Sequence, residues 1–168
     1  MSQHHRPKPT GRPRTGARVA AVQALFQSEH TGESAETVAQ QFIRHRIGAG
    51  DTIAQDAFED GRVPLANVPL FEAILKAAAT RAEQADAEIR AHLSKDWALE
   101  RLDPVLRALL RAAAAELLNG NEPPARVVIN EYLDVARGFL DDETARFANG
   151  VLDAMAHALR PAEFGTGR

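Results

Sequence analysis

The chain has 168 residues, no cysteine, 5% aromatic residues and a net charge of −3, a size that suits one domain with a sizeable core. This composition excludes a disulfide framework and thiolate chemistry, and suits a reducing cytoplasm. No apolar run approaches the ~20 residues that span a bilayer, and abundant Ala and Leu favour packed helices over a sheet.

The charge is unevenly placed. Residues 1–18 carry Arg6, Lys8, Arg12, Arg14 and Arg18 and no acid, so the other 150 residues hold −8. Pro and Gly interrupt this segment and no apolar period runs through it, which predicts a flexible basic arm over residues 1–14. It lacks the apolar stretch of a secretory signal. A loose cationic leader on an acidic body suits capture of a polyanion, because each neutralised phosphate releases counterions. It also suits a mere solubilising tail.

A first helix is expected from Thr15 or Gly16, carrying Val22, Leu25 and Phe26 inward and stopping at Gly32. Arg18 falls at the edge of that stripe, where it either reaches a phosphate or lays its stem along the core and pairs with an acid. Phe26 reads first as core. Ser34 opens a second helix to about Arg46, with Val38, Phe42 and Ile43 inward. Residues 47–66 read as a loop with a short helical piece; their acids lack the spacing of a calcium loop. From Asn67 to Leu93 the pattern is helical, with Leu70, Phe71, Ile74, Leu75, Ala78, Ile89 and Leu93 inward. Ser94 to Trp97 turns the chain, and Trp97 reads as a core anchor rather than a base-stacking surface.

Asp103-Pro104 is a helix start, a capping side chain followed by proline at the first position. Leu102, Leu106, Leu109, Leu110, Ala113 and Leu117 then form the widest apolar face of the chain, so this helix should be central. Arg107 and Arg111, one turn apart, call for an acidic partner, either internal (Glu116 or Glu131) or on another protein. Asn119-Gly120 ends the helix.

The segment from Pro123 to Leu159 predicts two more helices. The first buries Val128, Tyr132, Val135 and Phe139 and breaks at Gly138, Asp141 and Asp142. The second starts on a capping aspartate with Glu143 in its first turn; its stripe is Phe147, Ala148, Val151, Leu152, Met155 and Leu159. Gly150 inside that stripe is expected at a helix crossing, since a mid-helix glycine costs roughly 1 kcal/mol against alanine. Asn130 and Asn149 border apolar stripes and are candidates for a structural polar contact. Residues 161–168 read as a tail.

No set of side chains announces catalysis. There is no phosphate-cradling glycine loop, and the six histidines form no i, i+4 metal pair. Nor can a nucleophile, a base and an orienting group be nominated together. A non-enzymatic protein without metal or cofactor is expected.

Four stretches in order resemble the NusB family of bacterial transcription antitermination factors. They are Ala21-Val22-Gln23-Ala24-Leu25-Phe26, Trp97 to Leu102, Leu110-Arg111 with Glu116-Leu117, and Val128-Ile129-Asn130-Glu131 with Ala136 and Phe147 to Asp153. The resemblance spans roughly Arg12 to Leu159. It implies an all-α fold of six to seven helices in two small bundles sharing a central helix, over residues 15–160. It further implies binding of boxA RNA together with the ribosomal protein NusE, in the RNA polymerase antitermination complex of ribosomal RNA synthesis. By the same resemblance Arg12, Arg14, Arg18 and Arg146 are RNA contacts and Phe26 and Arg107 partner contacts. Asn130, Glu131, Phe147, Asn149 and Gly150 belong to the family signature and are expected to be structural. Family members differ in self-association, which leaves a homodimer open. A related domain heads an RNA cytosine methyltransferase, but this chain has no cysteine nucleophile. A helical scaffold with an incidental basic tail is the non-RNA alternative.

Overall fold

The computed structural model describes residues 13–47 and 66–165. Among them are seven α-helices: α1 (Pro13–Thr31), α2 (Ala35–His45), α3 (Val68–Thr80), α4 (Ala82–Ala91), α5 (Pro104–Leu118), α6 (Ala125–Phe139) and α7 (Asp142–Leu159). Two short 3-10 turns, Leu99–Arg101 and Pro161–Phe164, complete the regular structure of that part.

Local chemistry accounts for most of the boundaries. The Asp103 carboxylate accepts from the backbone N–H of Val105 and Leu106 at the head of α5. Asp141 does the same for Thr144 in α7, Ser34 for Thr37 in α2 and Asn67 for Leu70 in α3. Such caps satisfy donors that a helix leaves unpaired. Gly32 and Gly120 follow α1 and α5 with φ of +79° and +101°, a region that glycine enters without a Cβ clash.

Helix α5 is the shared element. It packs against α1, α3, α4, α6 and α7, while α1, α2 and α3 also pack on one another and α6 on α7. Every residue from Leu106 to Leu117 except Arg111 is buried. The run Ala112–Ala115 is wholly inaccessible, as are Ala17, Ala20, Ala21 and Ala24 of α1. Small side chains on both helices permit a close approach, so the centre is dense without being aromatic. The two-bundle architecture with a central helix is therefore present.

Several expectations are corrected. Helix α1 starts at Pro13, ahead of Thr15, and its alanine face leaves Phe26 36% exposed. The helical pattern from Asn67 to Leu93 divides at Arg81, whose φ and ψ are −115° and 22°. There the Thr80 hydroxyl donates back to the Lys76 carbonyl at 2.9 Å, a contact that bends helices. Trp97 is 52% exposed, because Leu99 takes the core position of that turn, and Phe139 is 44% exposed at the last position of α6. Gly150 is not a crossing point: a Cβ built there would meet nothing within 4 Å. Asn130 and Asn149 both face solvent, so neither makes a buried polar contact. Residues 1–12 of the expected flexible arm and most of the 47–66 loop lie outside the described residues, as do residues 166–168, whereas Pro13 and Arg14, expected in the arm, form the first turn of α1.

The pairing of α1 with α5 is antiparallel and is held by charge at both ends. At one end the buried Arg18 guanidinium donates to both carboxylate oxygens of Glu116, at 2.8 and 2.9 Å. Glu131 approaches the same guanidinium at 3.7 Å and accepts from the Thr15 hydroxyl at 2.7 Å. Burial opposes the charge on Arg18, yet the hydrogen bonds and attraction of Glu116 raise its pKa above the ordinary value. Tyr132 is fully buried beside this pair; burial first, then the Glu116 charge, push its hydroxyl well above the usual phenol value. Removing one partner of such a pair strands the other. Glu116→Ala should lower the free energy of unfolding by about 3–5 kcal/mol, read from denaturant melts. Gly150→Ala, with open space and helical backbone, should instead add about 0.5–1 kcal/mol in the same assay.

Candidate nucleic-acid interface

The sequence places its cations at the N-terminus, and the fold decides where that leader begins. Because α1 runs antiparallel to α5, its start lies at the C-terminal end of α5. Pro13, five residues before Arg18, is about 7.5 Å further along the helix axis. The beginning of α6 and the end of α7 meet at the same place. Arg160 makes that convergence: it is 5% exposed and donates to the carbonyls of Glu116, Leu117 and Pro123 at 3.0, 3.2 and 2.6 Å. One guanidinium thus closes the end of α5 and ties it to α7.

Of the four arginines expected on RNA, the structure treats each differently. Arg12 lies outside the described residues. Arg14 is exposed on the first turn of α1. Arg18 is corrected: its bidentate pair with Glu116 and 2% exposure leave no face for a phosphate. Arg146 is exposed on α7 and, with Leu133, Arg137, Asp142, Ala145 and Asn149, lines an open depression of about 310 Å³. It does not adjoin the start of α1. Glu131, which meets α1, and Leu133 and Arg137, which face α7, lie on opposite flanks of α6 at 100° per residue.

The expected partner contacts also separate. Phe26 is exposed and stacks in parallel on His30, with ring centroids 6.0 Å apart. Arg107 is corrected to a structural role. It is 8% exposed and donates to the carbonyls of Leu99, Glu100 and Leu102 at 3.2, 3.2 and 2.9 Å. It also pairs with Glu29 on α1. Arg111 reaches Glu29 at 2.8 Å and Asp86 on α4 at 2.9 Å. The acids that the two arginines need are therefore Glu29 and Asp86, not Glu116 or Glu131. This network borders a second depression, lined in part by Leu25, Ser28, Ala82 and Ala85, beside Phe26 in the chain.

Within the signature, Glu131 anchors α1, and Phe147 is half-buried against Trp97, with ring centroids 5.5 Å apart. Sequence reasoning missed Arg126, His157, Arg160 and Phe164. His157 and Phe164 stack with centroids 3.8 Å apart, and the Arg126 guanidinium lies 5.2 Å from the Phe164 centroid. A hint was available only for Arg160: an arginine just past a helix end, before a proline, suits carbonyl capping.

Among the described residues no group of three or more His, Cys, Asp or Glu is placed to hold a metal ion. No helix there is long and apolar enough to cross a membrane. The fold and its surfaces define a class: an all-α, two-bundle protein whose basic leader departs from one end of a shared helix. The model of the NusB family matches residues 15–157, and the chain belongs to that family. It is 56% identical over 153 residues to the transcription antitermination protein NusB of Granulibacter bethesdensis, covering 91% of this chain and 93% of that one. Against the same protein of Gluconobacter oxydans it is 50% identical over 148 residues, covering 88% and 89%. Two solved structures superpose well. One holds antitermination factors NusB and NusE in complex with dsRNA, with a TM-score of 0.66, 26% identity, and coverage of 88% and 98%. The other is T. maritima NusB, with a TM-score of 0.67, 28% identity, and coverage of 90% and 96%.

The Glu29 network gives a signed pH dependence. The hydrogen bond from Arg107, opposed by partial burial and joined by Arg111, holds the Glu29 carboxyl below its ordinary 4.5. Its contribution is fully present above that value and is lost as pH falls through the depressed folded pKa. Glu29→Gln should therefore melt lower than the parent at pH 7, and the difference should shrink as pH falls through the depressed folded pKa of Glu29. Paired thermal melts across that range check it.

Proposed function

We propose that this chain is an RNA-binding transcription antitermination factor. It binds the boxA segment of nascent RNA together with NusE, and the pair joins the RNA polymerase complex that supports ribosomal RNA synthesis in the cytoplasm. The carrying observation is membership of the NusB family over almost the whole described body, joined to a superposable relative that was solved with NusE and RNA. The role is assembly without catalysis. Two modest basic surfaces on one RNA raise the joint affinity above that of either protein, because the second contact forms at high effective concentration.

The residues suit that role. Residues 1–14 hold Arg6, Lys8, Arg12 and Arg14 against no acid, and the leader joins the fold at Pro13, where α1 begins. Arg146 and Arg137 add two further exposed cations, beside Asp142 in the same depression. Phe26, exposed on α1, is the aromatic that a partner or base would meet on the other side of the first bundle.

Binding to boxA RNA should exceed binding to a scrambled RNA, and adding NusE should widen the gap. Four leader cations on single-stranded RNA predict a logarithmic salt slope of about −3, at ~0.7 per contact. Deleting residues 1–12 leaves Arg14 and should reduce the slope to about −1, with the helical circular dichroism retained. Equal affinity for both RNAs, with or without NusE, would remove the antitermination reading. An unchanged slope in the deletion would move the RNA site away from the leader.

A further inference from the structure

The end of the molecule from which the leader departs carries a contact that packing alone does not require. After α7 the chain turns at Pro161–Phe164 and folds back over the beginning of α6. Glu163 accepts the Ala125 backbone N–H at 3.0 Å and lies 3.4 Å from Arg160. Phe164 is thereby placed between two side chains from different helices. The His157 ring of α7 lies 3.8 Å away and 23° from parallel, and the Arg126 guanidinium of α6 lies over the ring at 5.2 Å. Both flanking side chains are exposed and Phe164 is only half-buried.

A flat ring held between an imidazole and a guanidinium has the chemistry by which proteins hold an unstacked nucleobase. We propose that Arg126 and His157 form a stacking slot for one base of single-stranded RNA, filled in this structure by the chain's own Phe164, so that RNA and the C-terminal turn compete. The proposal deepens the RNA-binding function and rests on it.

Three observations favour RNA as the occupant. Arg126 has no carboxylate partner within salt-bridge distance among the described residues. The acids next to the slot are already engaged: Glu163 with Ala125 and Arg160, and Asp153 with His157 Nδ1, through its carbonyl at 2.8 Å and its carboxylate at 3.6 Å. The basic leader joins the fold at the same end, since Arg18 and Arg160 both bind Glu116, one its side chain and the other its carbonyl. At 100° per residue Arg126 lies on the α6 flank of Leu133 and Arg137, away from α1, so a strand held by the leader reaches the slot by passing around the start of α6.

The test compares the full chain with Phe164→Ala and with the double variant Phe164→Ala/Arg126→Lys. The probe is a labelled single-stranded boxA RNA at fixed salt. Emptying the slot should tighten binding by about fivefold or more, the low end of one stacked base. Lysine keeps the charge but lacks the planar face, so the double variant should return to the parent affinity or below. Unchanged or weaker binding by Phe164→Ala, or a gain that survives Arg126→Lys, overturns the slot. Should Phe164→Ala fail to fold, the His157 ring resonances of the unsubstituted chain decide. They should shift on RNA addition as the Phe164 ring leaves, and resonances unmoved at saturation overturn the proposal. No binding by any of the proteins would overturn RNA binding itself, and the slot with it. Binding by all three at equal affinity would overturn the slot alone.

Discussion

The buried pair of Arg18 and Glu116 is the contact on which the rest of the arrangement depends. A guanidinium and a carboxylate taken out of water lose hydration that only close, doubly hydrogen-bonded geometry offsets. Arg18 and Glu116 meet that condition, with two short bonds and Glu131 nearby. Because Glu116 sits near the end of α5 and Arg18 near the start of α1, the pair sets both the direction of α1 and its register along the central helix. A slip of one turn would separate the charges by about 5.4 Å inside a core with no water to receive them. The same carboxylate helps to raise the Tyr132 phenol, so α6 belongs to this centre as well.

Two other arginines do comparable work. Arg107 gathers the carbonyls of the Leu99–Leu102 turn and crosses to Glu29, which ties the far end of α1 to α5. Arg160 gathers the carbonyls at the near end and ties α7 there. Each planar, multiply donating guanidinium collects acceptors from several segments, which a lysine could not do with the same geometry. The alanine-rich helix faces explain why such ties are needed. Small side chains bring helices close but give little directional preference, and hydrogen-bonded charges supply it.

This use of arginine separates the cations that hold the fold from those that remain for a ligand. Arg18 and Arg107 are taken up internally. Arg14, Arg126, Arg137 and Arg146 stay at the surface, alongside a leader whose three cations precede Pro13. An acidic body with its excess positive charge on one attached segment suits the capture of a polyanion, as the proposed RNA-binding role requires. The family relation gives that physical picture its biological setting.

Helix starts were legible because their causes are local: Asp103 before Pro104, Ser34 before Ala35, Asp141 before Asp142, each with a side chain that caps the next turn. The central helix was legible from the width of its leucine face, and the family from four ordered stretches. Side-chain destinations were not, because periodicity assigns a residue to a face without saying what that face meets. Trp97 had the size of a core residue but lost that place to Leu99, and Gly150 had the look of a crossing but meets open space. Arg18 could reach water or Glu116 from the same position on α1. By itself the sequence determined six helical stretches, four of them with a capping side chain at the start, one central apolar face and a cationic leader, all of them properties of neighbouring residues. Only the tertiary structure decided which arginines are spent inside, and that the leader, Arg126 and the C-terminal turn share one end of the molecule, because those facts depend on residues about a hundred positions apart being brought within hydrogen-bond distance.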